Sequence, residues 1–490
     1  MTERPIIPPE PVRDLDWDPK RARETGEAAI DLWTELLERL RDLPVTRMQP
    51  VEEVARAVEV PIPAEGMSPA EMVEALRPLV FERSVYPGHP GFLAYISGGG
   101  TVPGAAADLI AAGLNANAGG WSLSAGVTEF EVTLMRWLAA RFGLPEGAGG
   151  LVTSGGATSN ITALKAARDA ALPDARIEGI AGRAIAFYAS FESHATILEA
   201  ADIIGAGESS VRLIGTDERL RMRVDLLEEA IAADRAAGVT PAAVVATAGT
   251  TGTGSIDPLP EIAAVCRREG VWFHVDAAYG GAAVLSASLR PLLDGIELAD
   301  TITFDPHKWL SVPLAAAVLL AREPDRLLAS FSHDAAYTRE VRERTGSGKN
   351  LGGYSQAWSR GFSALKIWAS LAGHGTDAYD RRLAHDVELG RYLAARVEAA
   401  PTLELALEPV LPIVCFRHVE PGVTDAQLDD LNEHLMEAIR REGRVFPSNA
   451  MIGGRYYLRA CISNFRTEAE DLDALAEAAV RLGAELGSDG

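Results

Sequence analysis

Residues Thr303 to Leu310 read TFDPHKWL and stand just past an apolar stretch with the character of a buried strand. Lys308 within it sets the reading of the whole chain. A lysine at the end of a buried strand is costly unless it is paired, snorkels to water or is used chemically. Burial lowers an amine's pKa and makes it a nucleophile toward carbonyls. An isolated lysine at a strand exit most often holds its head in water. The company that Lys308 keeps along the chain reverses that expectation.

Other strand-like segments end in polar residues. Ala242 to Gly249 (AAVVATAG) carries Thr247, and Val271 to Ala278 (VWFHVDAA) carries Asp276. Ala184 to Ser190 (AIAFYAS) is followed closely by His194. Helical patterns lie between them. Val224 to Ala237 is apolar at Val224, Leu227 and Ile231 with Gly238 behind it, and Pro258 to Glu269 is stopped by Gly270. Alternation of this kind predicts an α/β fold with a mostly parallel sheet. Ligands of such sheets bind beyond the carboxyl ends of the strands, where Thr247, Asp276 and Lys308 would share one crevice. Leu151 to Asn160 (LVTSGGATSN) then offers a tight glycine turn before a helix, a seat for phosphate.

Together these residues describe a site for pyridoxal 5'-phosphate (PLP), whose carbonyl forms a Schiff base with a lysine. Lys308 would be that lysine. Asp276 would keep the ring nitrogen protonated, with Ala278 beside it. His194 would stack on the ring, Thr247 would hydrogen-bond the cofactor, and His307 would reach the phosphate held by Gly155, Gly156 and Ala157. Taken singly, each has a plainer reading: Asp276 as a helix cap, Thr247 as a turn residue, His194 as a loop histidine.

On these residues the chain resembles the PLP-dependent group II decarboxylases that act on aromatic amino acids, histidine and glutamate. The shared strings are TSGG at 153–156, SHATILEAA at 193–201, ATAGTTGTGSIDPL at 246–259, WFHVDAAYGG at 272–281, DPHKWL at 305–310, ALKIW at 364–368 and LRACISNFRT at 458–467. They run in family order from HPGFLAY at 89–95 onward. The PHKWL form is nearer the aromatic branch. The resemblance implies the aspartate-aminotransferase fold (fold type I): a mostly parallel central sheet with helices on both faces, a helical N-terminal arm and a small C-terminal α/β domain. It also implies a homodimer with shared active sites, and decarboxylation of an L-amino acid to an amine. Tyr337, in the segment FSHDAAYT with Phe331 and Asp334, matches the tyrosine that protonates the substrate carbon. Thr338 to Gly353 matches the lid that follows it. An aldehyde synthase is the competing outcome, a histidine or glutamate decarboxylase the competing substrate class, and a PLP-fold binding protein the non-enzyme reading. Retention of His194 and Tyr337 speaks against the aldehyde synthase.

The chain departs from the family in places. Ala157 stands where a serine hydroxyl usually meets the phosphate. Asp305 stands where some relatives have Asn; a carboxylate facing phosphate is repelled, so Asp305 is expected to point elsewhere. On the substrate side, Tyr95 is kept. Pro87, Ile96, Ser97, Gly98, Asn117 and Gly119 replace groups that are often larger, which would leave room for a large ring or mark another substrate. Ser359 sits where side-chain size tunes the pocket.

A chain of 490 residues with a net charge of −23 holds a large core and repels nucleic acid and anionic membranes. Cys266, Cys415 and Cys461 show no metal spacing and suit a reducing, cytoplasmic compartment. No stretch is apolar over a membrane-spanning length, and the N-terminus lacks a signal-peptide pattern. Three parts are expected: an arm over 1–88, a PLP domain over 89–375 and a small domain over 376–490. Within the arm, a helix over Ala29 to Leu43 carries Ile30, Trp33, Leu37 and Leu40 on one face with Leu36 beside it, a stripe that calls for a partner.

Overall fold

The computed structural model describes residues 12–59, 62–333 and 349–488. The chain divides into two compact units, Met1–Tyr86 and Pro87–Gly490. In the second, seven strands form the main sheet: β1 (Gly149–Thr153), β2 (Ile185–Ser190), β3 (Val211–Ile214), β4 (Thr240–Thr247), β5 (Trp272–Asp276), β6 (Thr301–Phe304) and β7 (Ala317–Ala321). Their order is β1-β7-β6-β5-β4-β2-β3. The five strands from β6 to β3 are parallel, while β7 runs antiparallel to both β6 and β1. β1 therefore points the same way as β4, β5 and β6, and their carboxyl ends share one edge.

Both faces of the sheet are covered, as near-continuous apolar strands require. Val244, Phe273, Val275 and Ile302 pack on one side with the helix Leu259–Glu269 and the segment Gly280–Leu285. Phe187, Val245, Trp272 and Leu319 pack on the other with the helices Gly156–Ala171 and Thr196–Ile203. Punctuation follows the sequence: Gly270 ends its helix at φ +64°, a left-handed value that glycine adopts without penalty. Gly375 separates the helix Ala364–His374 from Thr376–Glu398. Beyond it, β8 (Leu403–Leu405), β9 (Ile413–His418), β10 (Ser448–Ile452) and β11 (Arg455–Cys461) form an antiparallel sheet in the order β10-β11-β9-β8. The helices Asp425–Glu442 and Ala469–Ser488 pack on it around Phe416, Leu435, Leu458 and Leu475.

In the first unit the helix runs over Pro19–Arg39, with the Asp18 carboxylate accepting from Arg21 N at 2.7 Å. Its own unit packs a second stripe, which shares Leu40 and Leu36 with the expected one. Leu32, Leu40 and Leu43 join Val73, Phe81 and Tyr86, with Ala28 and Leu36 alongside. These residues recur every three or four positions, so they share a face rotated away from Ile30, which is 46% exposed. Trp33 and Leu37 also stay outside that cluster.

Candidate active site

The register of the main sheet pairs Thr247 with Asp276 and Asp276 with Thr303, so the three side chains lie on one face at the carboxyl edge. The helix Gly156–Ala171 crosses that face and delivers Asn160, which is 1% exposed. Asn160 Nδ2 donates to Asp276 Oδ2 at 2.9 Å, and Ala278 N donates to Asp276 Oδ1 at 3.1 Å. Asn160 Oδ1 in turn accepts from Thr303 Oγ1 at 2.7 Å and faces His274 Nε2 at 3.0 Å. Because Oδ1 can only accept, His274 Nε2 carries the proton. Its Nδ1 then accepts from Thr301 Oγ1 at 2.9 Å, and Thr301 Oγ1 accepts from Trp272 Nε1 at 2.9 Å. Trp272, His274 and Asp276 alternate along β5 and so share a face. Every donor in this chain points toward Asp276, so both of its carboxyl oxygens are oriented by donors. Burial pushes His274 down to about 4, so it stays neutral.

Thr247 is anchored through its backbone: its N donates to Asp257 Oδ2 at 2.8 Å, leaving its own Oγ1 buried without a partner. Burial raises Asp257 to about 6. His194 is held by Thr196, whose N donates to His194 Nδ1 at 3.2 Å. A backbone N–H can only donate, so the neutral ring carries its proton on Nε2.

Lys308 closes a turn through Lys308 N and Asp305 O at 2.9 Å. Asp305 itself corrects the sequence expectation. Its side chain turns into the site, 2% exposed, with Oδ2 3.1 Å from Lys308 Nζ and Oδ1 without a hydrogen-bond partner. Attraction to an ammonium three residues on outweighs the repulsion foreseen from the sequence. Gly156 is pressed against this carboxylate: a Cβ there would meet Asp305 Oδ2 at 2.8 Å. His307 Nδ1 donates to Ala316 O at 2.7 Å, and its Nε2 lies 3.8 Å from Asp305 Oδ2; burial lowers its pKa.

A cavity of about 120 Å³ joins these groups. Of the expected residues, Gly156, Ala157, His194, Thr247, Asp276, Ala278 and Lys308 line it; Asn160, Tyr279 and Asp305 line it unforeseen. Gly155, His307, Tyr95, Gly98, Asn117 and Ser359 are not among its walls. Tyr337 and Asp334 lie outside the described residues. A larger cavity, about 710 Å³, opens at the opposite edge of the sheet near Arg235, Asp300 and Arg322, away from Lys308. Chemistry, not size, therefore locates the site. The small cavity fits PLP: an amine, an opposing carboxylate, an unpartnered hydroxyl on Thr247, and a glycine turn whose helix has no side-chain cap on its first amides.

The small residues on the substrate side do not open space. A Cβ on Gly98 would meet Ser463 O at 3.2 Å, and one on Gly119 would meet Trp358 O at 2.1 Å. Close backbone approach, not pocket width, requires glycine at 119. Asn117 Oδ1 accepts from Gly119 N at 2.8 Å and Arg360 N at 3.2 Å, so it braces the chain locally. Ser359 is exposed, and the Tyr95 side chain is 61% exposed. Arg459, within LRACISN, carries no sequence signal that sets it apart from other arginines. This buried guanidinium donates to Gly252 O, Tyr95 O and Ser448 Oγ, each at 3.0 Å, and leaves Nη2 without a partner.

Comparison with known proteins agrees with this geometry. The pyridoxal-dependent decarboxylase conserved domain matches residues 53–419. The aromatic-L-amino-acid decarboxylase of Bacillus atrophaeus is 32% identical over 461 residues, covering 94% of this chain and 95% of the relative. The cysteine sulfinic acid decarboxylase of Homo sapiens is 32% identical over 447 residues, covering 89% and 90%. The crystal structure of Oryza sativa TDC with PLP and tryptamine superposes with a TM-score of 0.91 at 27% identity, covering 96% of this chain and 99% of that one.

Proposed function

The chain belongs to the pyridoxal-dependent decarboxylase family and is a PLP-dependent carboxy-lyase acting on an amino acid; from that premise we propose that its substrate is an L-aromatic amino acid, released as the amine and CO₂. The observation that carries this reading is the composition of the cavity wall. Among its described residues, Lys308 is the one full cation, and it already faces Asp305. An acidic substrate side chain would need a further cation that this wall does not supply, whereas an aromatic ring needs none.

PLP, when bound, supplies an electron sink for the carbon that loses CO₂. The chain's residues do the rest. Lys308 Nζ is the nucleophile that anchors the cofactor. Asp276, oriented by Asn160 and Ala278, would hold a proton on the ring nitrogen. The turn at Gly156 and Ala157 would hold the phosphate, Thr247 Oγ1 offers its free hydroxyl, and His194 presents its ring with Nε2 protonated. Arg459 lies outside that wall and donates to Gly252 O, and its unpartnered Nη2 would serve the α-carboxylate that every amino-acid substrate carries, not a second, side-chain acid. Tyr337 delivers a proton to the substrate carbon after CO₂ leaves.

Two measurements test this reading. Borohydride reduction of the purified protein followed by peptide mass spectrometry is expected to place a pyridoxyl group on Lys308; a label on another lysine rejects the site. A panel of L-amino acids, with amine and CO₂ both quantified, is expected to favour tryptophan, tyrosine, phenylalanine or dopa over glutamate, histidine and cysteine sulfinate. Faster turnover of an acidic substrate than of every aromatic one overturns the assignment. Ala157 gives a third expectation. Thr158 Oγ1 is already 2.9 Å from Ser154 Oγ. Ala157→Ser therefore adds a hydroxyl to the phosphate turn, worth about 1.5–3 kcal/mol for a hydrogen bond to a charged group, or roughly tenfold or more in PLP affinity. An unchanged dissociation constant would show that the turn already satisfies the phosphate.

The active assembly in this reading is a homodimer. The helices Val102–Leu114 and Ala364–His374 pack together and leave Leu109, Ile110, Leu114 and Trp368 between 48% and 62% exposed, an apolar surface of the kind that subunits cover. The three cysteines are buried and free, in keeping with a cytoplasmic enzyme. No described helix is long and apolar enough to cross a membrane.

A further inference from the structure

Asp305 poses a charge problem that the proposed function does not resolve. Its carboxylate is 2% exposed, lines the cavity, and lies against the Gly156 turn assigned to the phosphate. Oδ2 has Lys308 Nζ at 3.1 Å, but Oδ1 is buried without a hydrogen-bond partner. Lys308 is the residue that bonds the cofactor, so any charge its nitrogen keeps in the loaded enzyme is shared with the ring and is not a free ammonium held against Asp305. His307 Nε2 lies 3.8 Å from the same Asp305 oxygen, and Lys366, whose charge also acts on His307, is itself paired with Asp108 at 3.0 Å. His307 Nδ1 is spent on Ala316 O, and burial disfavours its charged form. The helix Gly156–Ala171 presents Gly156 to the carboxylate, and Asp276 and His194 stand on the other walls of the cavity. A phosphate dianion would therefore meet a buried carboxylate, and apart from Lys308 the described wall of the cavity has no lysine or arginine to stand between them. Two buried acids this close relieve their repulsion by sharing a proton.

We propose that Asp305 makes this site select the singly protonated, monoanionic phosphate of its cofactor, with the proton lying between a phosphate oxygen and Asp305 Oδ1. The inference rests on the reading of the cavity as the PLP site. It assigns Asp305 a positioning and selecting role toward the phosphate. The linkage has a definite sign. A phosphate ester loses its second proton near about pH 6 in water, so above that pH binding must take up a proton. Affinity then falls by up to about tenfold for each pH unit.

The decisive measurement is phosphorus-31 NMR of the PLP-loaded protein. In the wild type the bound resonance is expected to hold the monoanion position up to about pH 8, where the free cofactor is a dianion. In Asp305→Asn, which keeps the shape and removes the charge, it is expected at the dianion position. The PLP dissociation constant of the wild type should weaken about tenfold more than that of the variant between about pH 7 and about pH 8. Pyridoxal, which lacks the phosphate, should show the same pH dependence in both proteins. A dianion resonance in wild-type protein whose Lys308 carries the borohydride label overturns the inference and leaves the PLP site standing. Failure to take up PLP at all overturns both. If Asp305→Asn does not fold, the wild-type resonance alone decides.

Discussion

Replacing Tyr337 with phenylalanine is expected to slow amine release by about 10²–10⁴-fold, the contribution of one positioned proton donor. The carbon that loses CO₂ keeps an electron pair and must gain a proton to become the amine's carbon. The variant still holds Lys308, Asp276 and the phosphate turn, so PLP binding should be nearly unchanged and CO₂ release should fall less than amine release. An electron pair left without a proton is open to oxidation by dioxygen, and hydrolysis then gives aldehyde and ammonia with peroxide as the reduced product. The ratio of amine to aldehyde in wild type and variant is the quantity to measure. Amine release at the wild-type rate would remove Tyr337 from the mechanism and turn attention to His194, whose protonated Nε2 is fixed by the Thr196 hydrogen bond.

Asp276→Asn should weaken PLP binding by about 3–5 kcal/mol, the cost of removing one partner of a buried charge pair, or a factor of roughly 10² to several times 10³. The change is small in volume but wrong in hydrogen-bond sense. Both Asp276 oxygens accept from donors, Asn160 Nδ2 and Ala278 N. An amide at 276 must turn its own NH₂ toward one of them, which costs the cofactor-free protein about 1–3 kcal/mol as well. Equilibrium titration with PLP and unfolding of the cofactor-free variant separate the two losses. PLP affinity within about twofold of wild type would mean that Asp276 does not face the ring nitrogen.

Much of the site was legible because it sits where strands end. Thr247, Asp276 and Lys308 each follow an apolar run, and a parallel sheet brings such ends together. What the sequence did not reveal depends on register and on turns. His274 reads as one histidine in WFHVDAA until β5 is set beside β6, which pairs it with Thr301 and places Asn160 above both. The alternation of Trp272, His274 and Asp276 was the available signal. Asp305 was misjudged because its charge was weighed against a phosphate, while its nearest partner was Lys308 on the same turn. Gly98 and Gly119 were read as missing bulk, but the nearest atom to each is a backbone oxygen distant in sequence, that of Ser463 and that of Trp358. The Leu32 stripe of the arm helix was missed for a related reason: a helix with two apolar stripes does not say which one its own unit will bury.

The antiparallel strand β7 has a consequence for the order of assembly during synthesis. β1, which leads into the phosphate turn, is an edge strand, and its partner in the sheet is β7. Thr153 aligns with Ala317, about 160 residues later in the chain. A growing chain that has made β1 must hold it unpaired until the lysine loop and β7 have both left the ribosome. Closure of so distant a contact is slow and comes late. The phosphate turn and Lys308 thus become parts of one sheet in the same step, so that a nascent chain acquires its capacity for cofactor all at once, near the completion of its large sheet.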